Sequence, residues 1–316
     1  MKRKKFLPIM ISLLILVGLI WLSYLLSNNE DRVLNAEERE RVGGAYVKLS
    51  AGYTHYELAG PDSGKVVLLI HGGGPALWIW DRQVDALHKA GFRTLRFDRY
   101  GAGYSDRIDT AYTWELLVNQ VAELLDTLNI PQPINVVGRS LGGRTAACFA
   151  AQYPDRVDKL VIVSAALMTP KNQIITRIPL LSLIPRYIKR VFGKMILNNM
   201  MEKYEPYIDN AEDAERYSRL LFDDMRYKGT ERAFGAIFRH DNLLGCRESN
   251  RSLSNENIKT AMIWGSNDGL VPEKRIKSLK EKYSHIDFYE VTDAGHGINF
   301  THHKEFNKIV LFFFEL

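Results

Sequence analysis

Ile134-Asn-Val-Val-Gly138-Arg139-Ser140-Leu141-Gly142-Gly143 is an apolar run that turns sharply through a serine and continues as Arg144-Thr-Ala-Ala-Cys-Phe-Ala-Ala. The β-branched residues before the turn suit a buried parallel strand, and the small residues after it suit a helix packed closely on a sheet. A serine at the tip of a strained strand-to-helix turn needs glycine on both sides, because neighbouring backbone comes too close for side chains. Ser140 is therefore the candidate nucleophile. The helix beginning at Leu141 aims its unpaired N–H groups at negative charge developing beside the serine. The alternative is an ordinary strand-to-helix turn whose serine caps the helix.

The neighbouring segments repeat the strand–helix order. Alternation in Ala45-Tyr-Val-Lys-Leu49 and Tyr53-Thr-His-Tyr-Glu-Leu58 predicts an antiparallel pair, with His55 on the strand surface. Lys65-Val-Val-Leu-Leu-Ile70 reads as a buried strand entering the loop His71-Gly72-Gly73-Gly74-Pro75, whose glycines expose N–H groups able to hold an anion or oxyanion. A nucleotide-binding loop is excluded, because neither Gly-Lys-Ser/Thr nor G-x-G-x-x-G is present. Trp78 and Trp80 read as core. A helix from Asp81 to Ala90, a strand Phe92–Phe97, an amphipathic helix from Tyr112 to Asn129 and a strand Leu160–Val163 follow. From about Ala165 to Asn255 no strand pattern is found, and prolines interrupt a helix-like segment. The alternation resumes with Thr260-Ala-Met-Ile-Trp264, a helix Glu273–Lys282 and Ile286–Val291. This order predicts an α/β fold with a mostly parallel central sheet, helices on both faces and a helical lid at about 165–255.

The chain has 316 residues, 46% hydrophobic and 25% charged, which suits one large core and excludes disorder. Its start stands apart. Met1-Lys-Arg-Lys-Lys5 precedes an uncharged run from Phe6 to Leu26, which as a helix spans roughly 30 Å, the thickness of the hydrocarbon layer. The run is long and ends without an A-x-A-like site, so it reads as an uncleaved anchor rather than a signal peptide. Basic residues on the amino-terminal side place residues 1–27 as cytoplasmic flank and transmembrane anchor, 28–41 as a polar stalk, and 42–316 as a catalytic domain outside the cytoplasm.

A serine hydroxyl needs a base, and the base needs a group that fixes its tautomer. Both should lie at strand ends on the same sheet edge. Trp264 leads into Gly265-Ser-Asn-Asp268, and Val291 leads into Asp293-Ala-Gly295-His296-Gly297. Asp268 is the preferred acid; Asp293, three residues before the histidine, is its rival and reads as a loop-shaping residue.

From about Val42 to the end, the chain resembles the α/β-hydrolase fold superfamily, in its serine esterase and lipase-like branch. His71-Gly72-Gly73, Asp98-Arg-Tyr-Gly-Ala-Gly-Tyr-Ser-Asp-Arg107, Gly138-Arg-Ser-Leu-Gly142, Trp264-Gly-Ser-Asn-Asp268 and Gly295-His296 carry the resemblance. It implies Ser140 as nucleophile, His296 as base, Asp268 as its orienter, and an oxyanion hole from the N–H groups of Leu141 and Gly73. It implies two-step acyl transfer with no cofactor and no metal. A serine at the elbow argues against the dehalogenases and epoxide hydrolases of the superfamily, which carry aspartate there.

Carboxylic esters, lipid or acyl esters among them, are the default substrate. Carbon–carbon hydrolysis of ring-cleavage products is the rival, although those enzymes usually place tryptophan where Gly297 stands. A non-catalytic binding protein of the same fold is the alternative of another class. Between Pro170 and Met201 the basic residues Lys171, Arg177, Arg186, Lys189, Arg190 and Lys194 interleave with apolar ones, with no acid among them. Such a segment either lies on an anionic membrane or packs on its own domain with its charges solvated. The net charge of +5 resides largely in this segment and the amino-terminal flank, so no nucleic-acid partner is expected. Cys148 and Cys246 imply no disulfide framework.

Overall fold

The computed structural model describes residues 3–165, 183–237, 253–255 and 257–315. Eight strands form one sheet in the order β1-β2-β4-β3-β5-β6-β7-β8. These are β1 Ala45–Lys48, β2 Tyr53–Ala59, β3 Val66–Ile70, β4 Arg93–Phe97, β5 Ile134–Arg139, β6 Val157–Val163, β7 Lys259–Gly265 and β8 Asp287–Val291. The pairs β1/β2 and β2/β4 are antiparallel, and every other pair is parallel. The central strands β3 and β5 are buried along their whole length. They can be uniformly apolar because helices cover both faces of a parallel sheet.

The apolar helix α1 spans Arg3–Leu26, and its Pro8–Leu26 stretch, with mean hydropathy 2.6, is long and apolar enough to cross a membrane. Helix α2, Ala36–Val42, is capped by Asn35 and buries none of its residues. Helices α3 Asp81–Lys89, α4 Trp114–Thr127 and α5 Leu141–Gln152 alternate with the strands. Between β6 and β7 the described residues form α6 Leu183–Tyr204, α7 Ala211–Asp224 and α8 Thr230–Ile237. Helix α9, Glu273–Lys282, and a carboxy-terminal helix His303–Glu315 complete the layers. The described part of the expected helical segment is mostly helix, broken by turns at 208–210 and 225–229; residues 166–182 and 238–252, with Lys171, Arg177 and Cys246, lie outside the described residues.

Within the stretch 28–41, residues 30–32 contact the region before and at the start of α8, where Arg32 bridges Tyr227 as an isolated parallel pair, the Glu30 carboxylate accepts from the Gly229 and Glu231 N–H groups, and Asp31 pairs with Arg226, while the exposed helix α2 follows. One expectation changes. His55 is not a surface residue. Its ring lies against Tyr46 and Tyr104, and its Nδ1 is 2.8 Å from Asp98 Oδ2. Trp78 and Trp80 are buried, as expected, and Trp78 packs on Tyr217 and Phe300, joining α7 to the core.

Close backbone approach fixes the elbow. A Cβ on Gly142 would sit on the carbonyl oxygens of Ile70 and His71, and one on Gly138 would sit on the carbonyl of Gly142. The start of α5 therefore lies directly against the end of β3. By contrast, a Cβ on Gly73 would meet nothing within 4 Å. We expect Gly142→Ala to lower the thermal midpoint by several degrees and to reduce covalent labelling of Ser140, whereas Gly73→Ala leaves the midpoint unchanged. Thermal melts of both variants beside the wild type check this.

Candidate active site

Ser140 joins β5 to α5 with φ 53° and ψ −117°, and its side chain makes no helix-capping hydrogen bond. The ordinary capping turn is thereby excluded. A non-glycine residue in such a conformation costs about 1–3 kcal/mol and persists only where its surroundings over-determine it. Here the Ser140 N–H donates to Val163 at 2.8 Å, and its carbonyl accepts from Gly143 and Arg144. The hydroxyl takes no part in capping α5.

His296 lies in the turn after β8. Its Nδ1 is 3.0 and 3.1 Å from the two carboxylate oxygens of Asp268. A proton on Nδ1 donated to the carboxylate leaves the Nε2 lone pair as the basic site. Asp268 Oδ1 also accepts from the N–H groups of Leu270 and Val271. Burial alone would raise the Asp268 pKa; the hydrogen bond and charge of His296 and the two backbone donors outweigh it and hold the carboxyl below its ordinary value. The rival Asp293 is a turn residue, with φ 60° and its N–H donated to Ser266 Oγ.

The glycine loop is held by buried polar groups. His71 Nε2 accepts from the Arg99 N–H at 2.9 Å, which leaves the ring proton on Nδ1, 2.9 Å from the Gly72 carbonyl. Arg99 Nη2 donates to the same carbonyl at 2.6 Å. In a trans peptide the C=O and the following N–H point in opposite directions. Fixing the Gly72 carbonyl inward therefore turns the Gly73 N–H outward. Among the described residues, the N–H groups of Gly73 and Leu141, the pair expected to form the oxyanion hole, donate to no backbone carbonyl outside the regular helices and strands. Gly72 adjoins Ser140, for a Cβ there would lie 3.1 Å from that of the serine.

The sequence reading missed two residues. Arg139 is buried, and its Nε and Nη2 donate to the His296 carbonyl at 3.3 and 3.0 Å. This ties the turn bearing His296 to the turn at Ser140. Tyr204, from the end of α6, places its hydroxyl 3.5 Å from Arg139 Nη2, and its ring fills the space where a Cβ on Gly297 would go. The signal for Arg139 was a charge closing a buried strand; Tyr204 carried none. Asp98 ties three loops together, accepting from Leu77 and Tyr104 N–H groups as well as meeting His55. It opens with His55 onto a cavity of about 200 Å³, and among the described residues no serine, threonine or cysteine lines that cavity. Among the described residues no group of three or more His, Cys, Asp or Glu side chains is arranged to hold a metal.

Residues 65–303 match the family described as alpha/beta hydrolase fold, and the chain belongs to that family. The 2-hydroxy-6-oxononadienedioate/2-hydroxy-6-oxononatrienedioate hydrolase 1 of Pseudomonas putida is 26% identical over 264 residues, covering 82% of this chain and 90% of its own. Its counterpart in Burkholderia vietnamiensis is 27% identical over 271 residues, with coverage of 82% and 90%. Among solved structures, an enol-lactonase from Burkholderia xenovorans is 24% identical with a TM-score of 0.68, over 86% of this chain and 100% of that one, and shares the fold.

Burial, and secondarily the Arg99 charge, push the His71 pKa down from 6.5 to about 3. The unfolded chain then takes up a proton below pH 6.5 that the folded chain refuses. This contribution to stability is complete above that pH and is lost as pH falls toward 3, by at most about 1.4 kcal/mol per unit. Urea unfolding at pH 7.5 and pH 5 should show a larger loss for the wild type than for His71→Asn.

Proposed function

We propose that this protein is a serine hydrolase that breaks a bond to a carbonyl carbon, with carbon–carbon hydrolysis of a ring-cleavage-type diketone as its reaction. The observation that carries the class is His296, locked to Asp268 through Nδ1 at 3.0 Å, on the same sheet edge as the strained Ser140 elbow. Its relatives are named as hydrolases of 2-hydroxy-6-oxo dienedioates, which supports the substrate class.

In this reading Ser140 adds to the ketone while His296 takes its proton, and the N–H groups of Leu141 and Gly73 hold the oxyanion. Collapse breaks the carbon–carbon bond. The leaving carbon departs as an enolate stabilised by the second carbonyl and receives the proton from His296. Water, deprotonated by His296, then releases the acid from the acyl-enzyme. Helices α6–α8 serve as the lid over this edge, within the expected 165–255 segment of a 42–316 catalytic domain. Residues 1–27 anchor the chain, with that domain outside the cytoplasm.

Carboxylic ester hydrolysis is the second reading, favoured by Gly297, where the carbon–carbon hydrolases usually carry tryptophan and where Tyr204 instead fills the space. An ester needs no stabilised carbanion, since its alkoxide leaves with the same proton. Loss of dienol absorbance from a 2-hydroxy-6-oxo dienedioate should be faster than release of p-nitrophenol from acetyl to palmitoyl esters. Both should fall at least about 10³-fold in Ser140→Ala. The reverse preference moves the assignment to an esterase, and turnover unchanged in Ser140→Ala contradicts the class.

A further inference from the structure

Helix α6 leaves an apolar stripe uncovered. Ile184, Ile188, Phe192 and Ile196 recur every four residues with Met195 beside them, and each is between 39% and 53% exposed. Four-residue spacing puts them on one face. A soluble domain rarely exposes such a continuous apolar patch without a partner for it.

The basic residues expected to accompany that face point elsewhere. Arg186 and Arg190 pair with Glu231 at 3.3 and 3.1 Å, and Lys189 lies 3.9 Å from Asp224. Lys194 remains exposed. The charges of Arg186, Lys189 and Arg190 are thus met within the protein, and apart from Lys194 the outward face of the first turns of α6 is mainly hydrocarbon.

The connection to α1 identifies the partner. Ser23 Oγ is 2.7 Å from the Tyr187 hydroxyl, Arg190 Nε donates to the Tyr24 carbonyl at 2.6 Å, and the Arg190 guanidinium sits 4.0 Å over the Tyr24 ring. The last turn of the membrane-length helix is thus bonded to the first half of α6. The following residues hold the insertion there through Glu30, Asp31 and Arg32. We infer that the apolar face of α6 lies in the lipid bilayer at the level where α1 emerges, a second membrane contact that is hydrophobic rather than electrostatic. This rests on the reading of α1 as an anchor. Helix α6 has 22 residues, or about 33 Å, and its far end carries Tyr204 against the catalytic turn. One rod therefore runs from the bilayer surface to His296.

The test uses the full chain with Cys148→Ala and Cys246→Ser, reconstituted in phosphatidylcholine vesicles, with a single NBD-labelled cysteine at Ile188, Phe192 or Met195. Labels at Leu14, in α1, and at Glu212, on α7, are the references. We expect shallow doxyl-lipid quenching at the three α6 positions to exceed that at Glu212 at least threefold, unchanged by phosphatidylglycerol or by high salt. Quenching at Leu14 but not on α6 overturns the inference and leaves the anchor standing. Absence of quenching at both overturns the two together. Blue-shifted but unquenched α6 labels mean that protein covers the face, and α6 quenching that needs phosphatidylglycerol and fails in salt means electrostatic adsorption; either overturns the inference.

Discussion

The contact between the start of α5 and the end of β3 constrains everything else at the site. With no Cβ at Gly138 or Gly142, the chain turns through Ser140 while its backbone touches the Ile70 and His71 carbonyls. Ser140 and the glycine loop are thereby brought side by side. The strain at Ser140 is sustained because its N–H is bonded to β6 and its carbonyl to the first turn of α5.

A second constraint is electrostatic. His71 is kept neutral by burial, and its two ring nitrogens are both used, one accepting from Arg99 and the other donating to Gly72. The Arg99 guanidinium is itself buried and pushed down to about 10, mainly by desolvation. These costs are offset by a single result: the Gly72–Gly73 peptide has one orientation, so its N–H is set in advance for the oxyanion proposed to form there. Catalytic donors that need no reorganisation contribute most when charge develops. Arg139 extends the same logic to the other side of the site by holding the His296 carbonyl.

Local pattern was enough for the strands, the helix Glu273–Lys282, the sharp turn at Ser140 and the placing of Asp268 and His296 after neighbouring strands, because each leaves its signature within a few residues. Buried strands are continuously apolar, and strand-end acids and histidines follow their strands directly. The roles of His55, Arg139, Tyr204 and the segment 28–41 were not legible. Each is defined by a partner far away in the chain: Asp98 for His55, the His296 carbonyl for Arg139, the Gly297 turn for Tyr204, and the α7–α8 region for Glu30 to Arg32. The basic residues of α6 misled for the same reason. Their counter-charges, Glu231 and Asp224, lie outside the segment in which they were counted.

The central claim is that Ser140 is a nucleophile activated by a histidine that Asp268 holds in one tautomer. Its most direct measurement is the rate and site of covalent labelling by a fluorophosphonate, read by peptide mass spectrometry in the wild type, Asp268→Asn and His296→Ala. A single adduct on Ser140 is predicted, formed much more slowly in both variants whose folds remain intact by circular dichroism. An adduct on another residue, or labelling of Ser140 at an unchanged rate without His296, would contradict it.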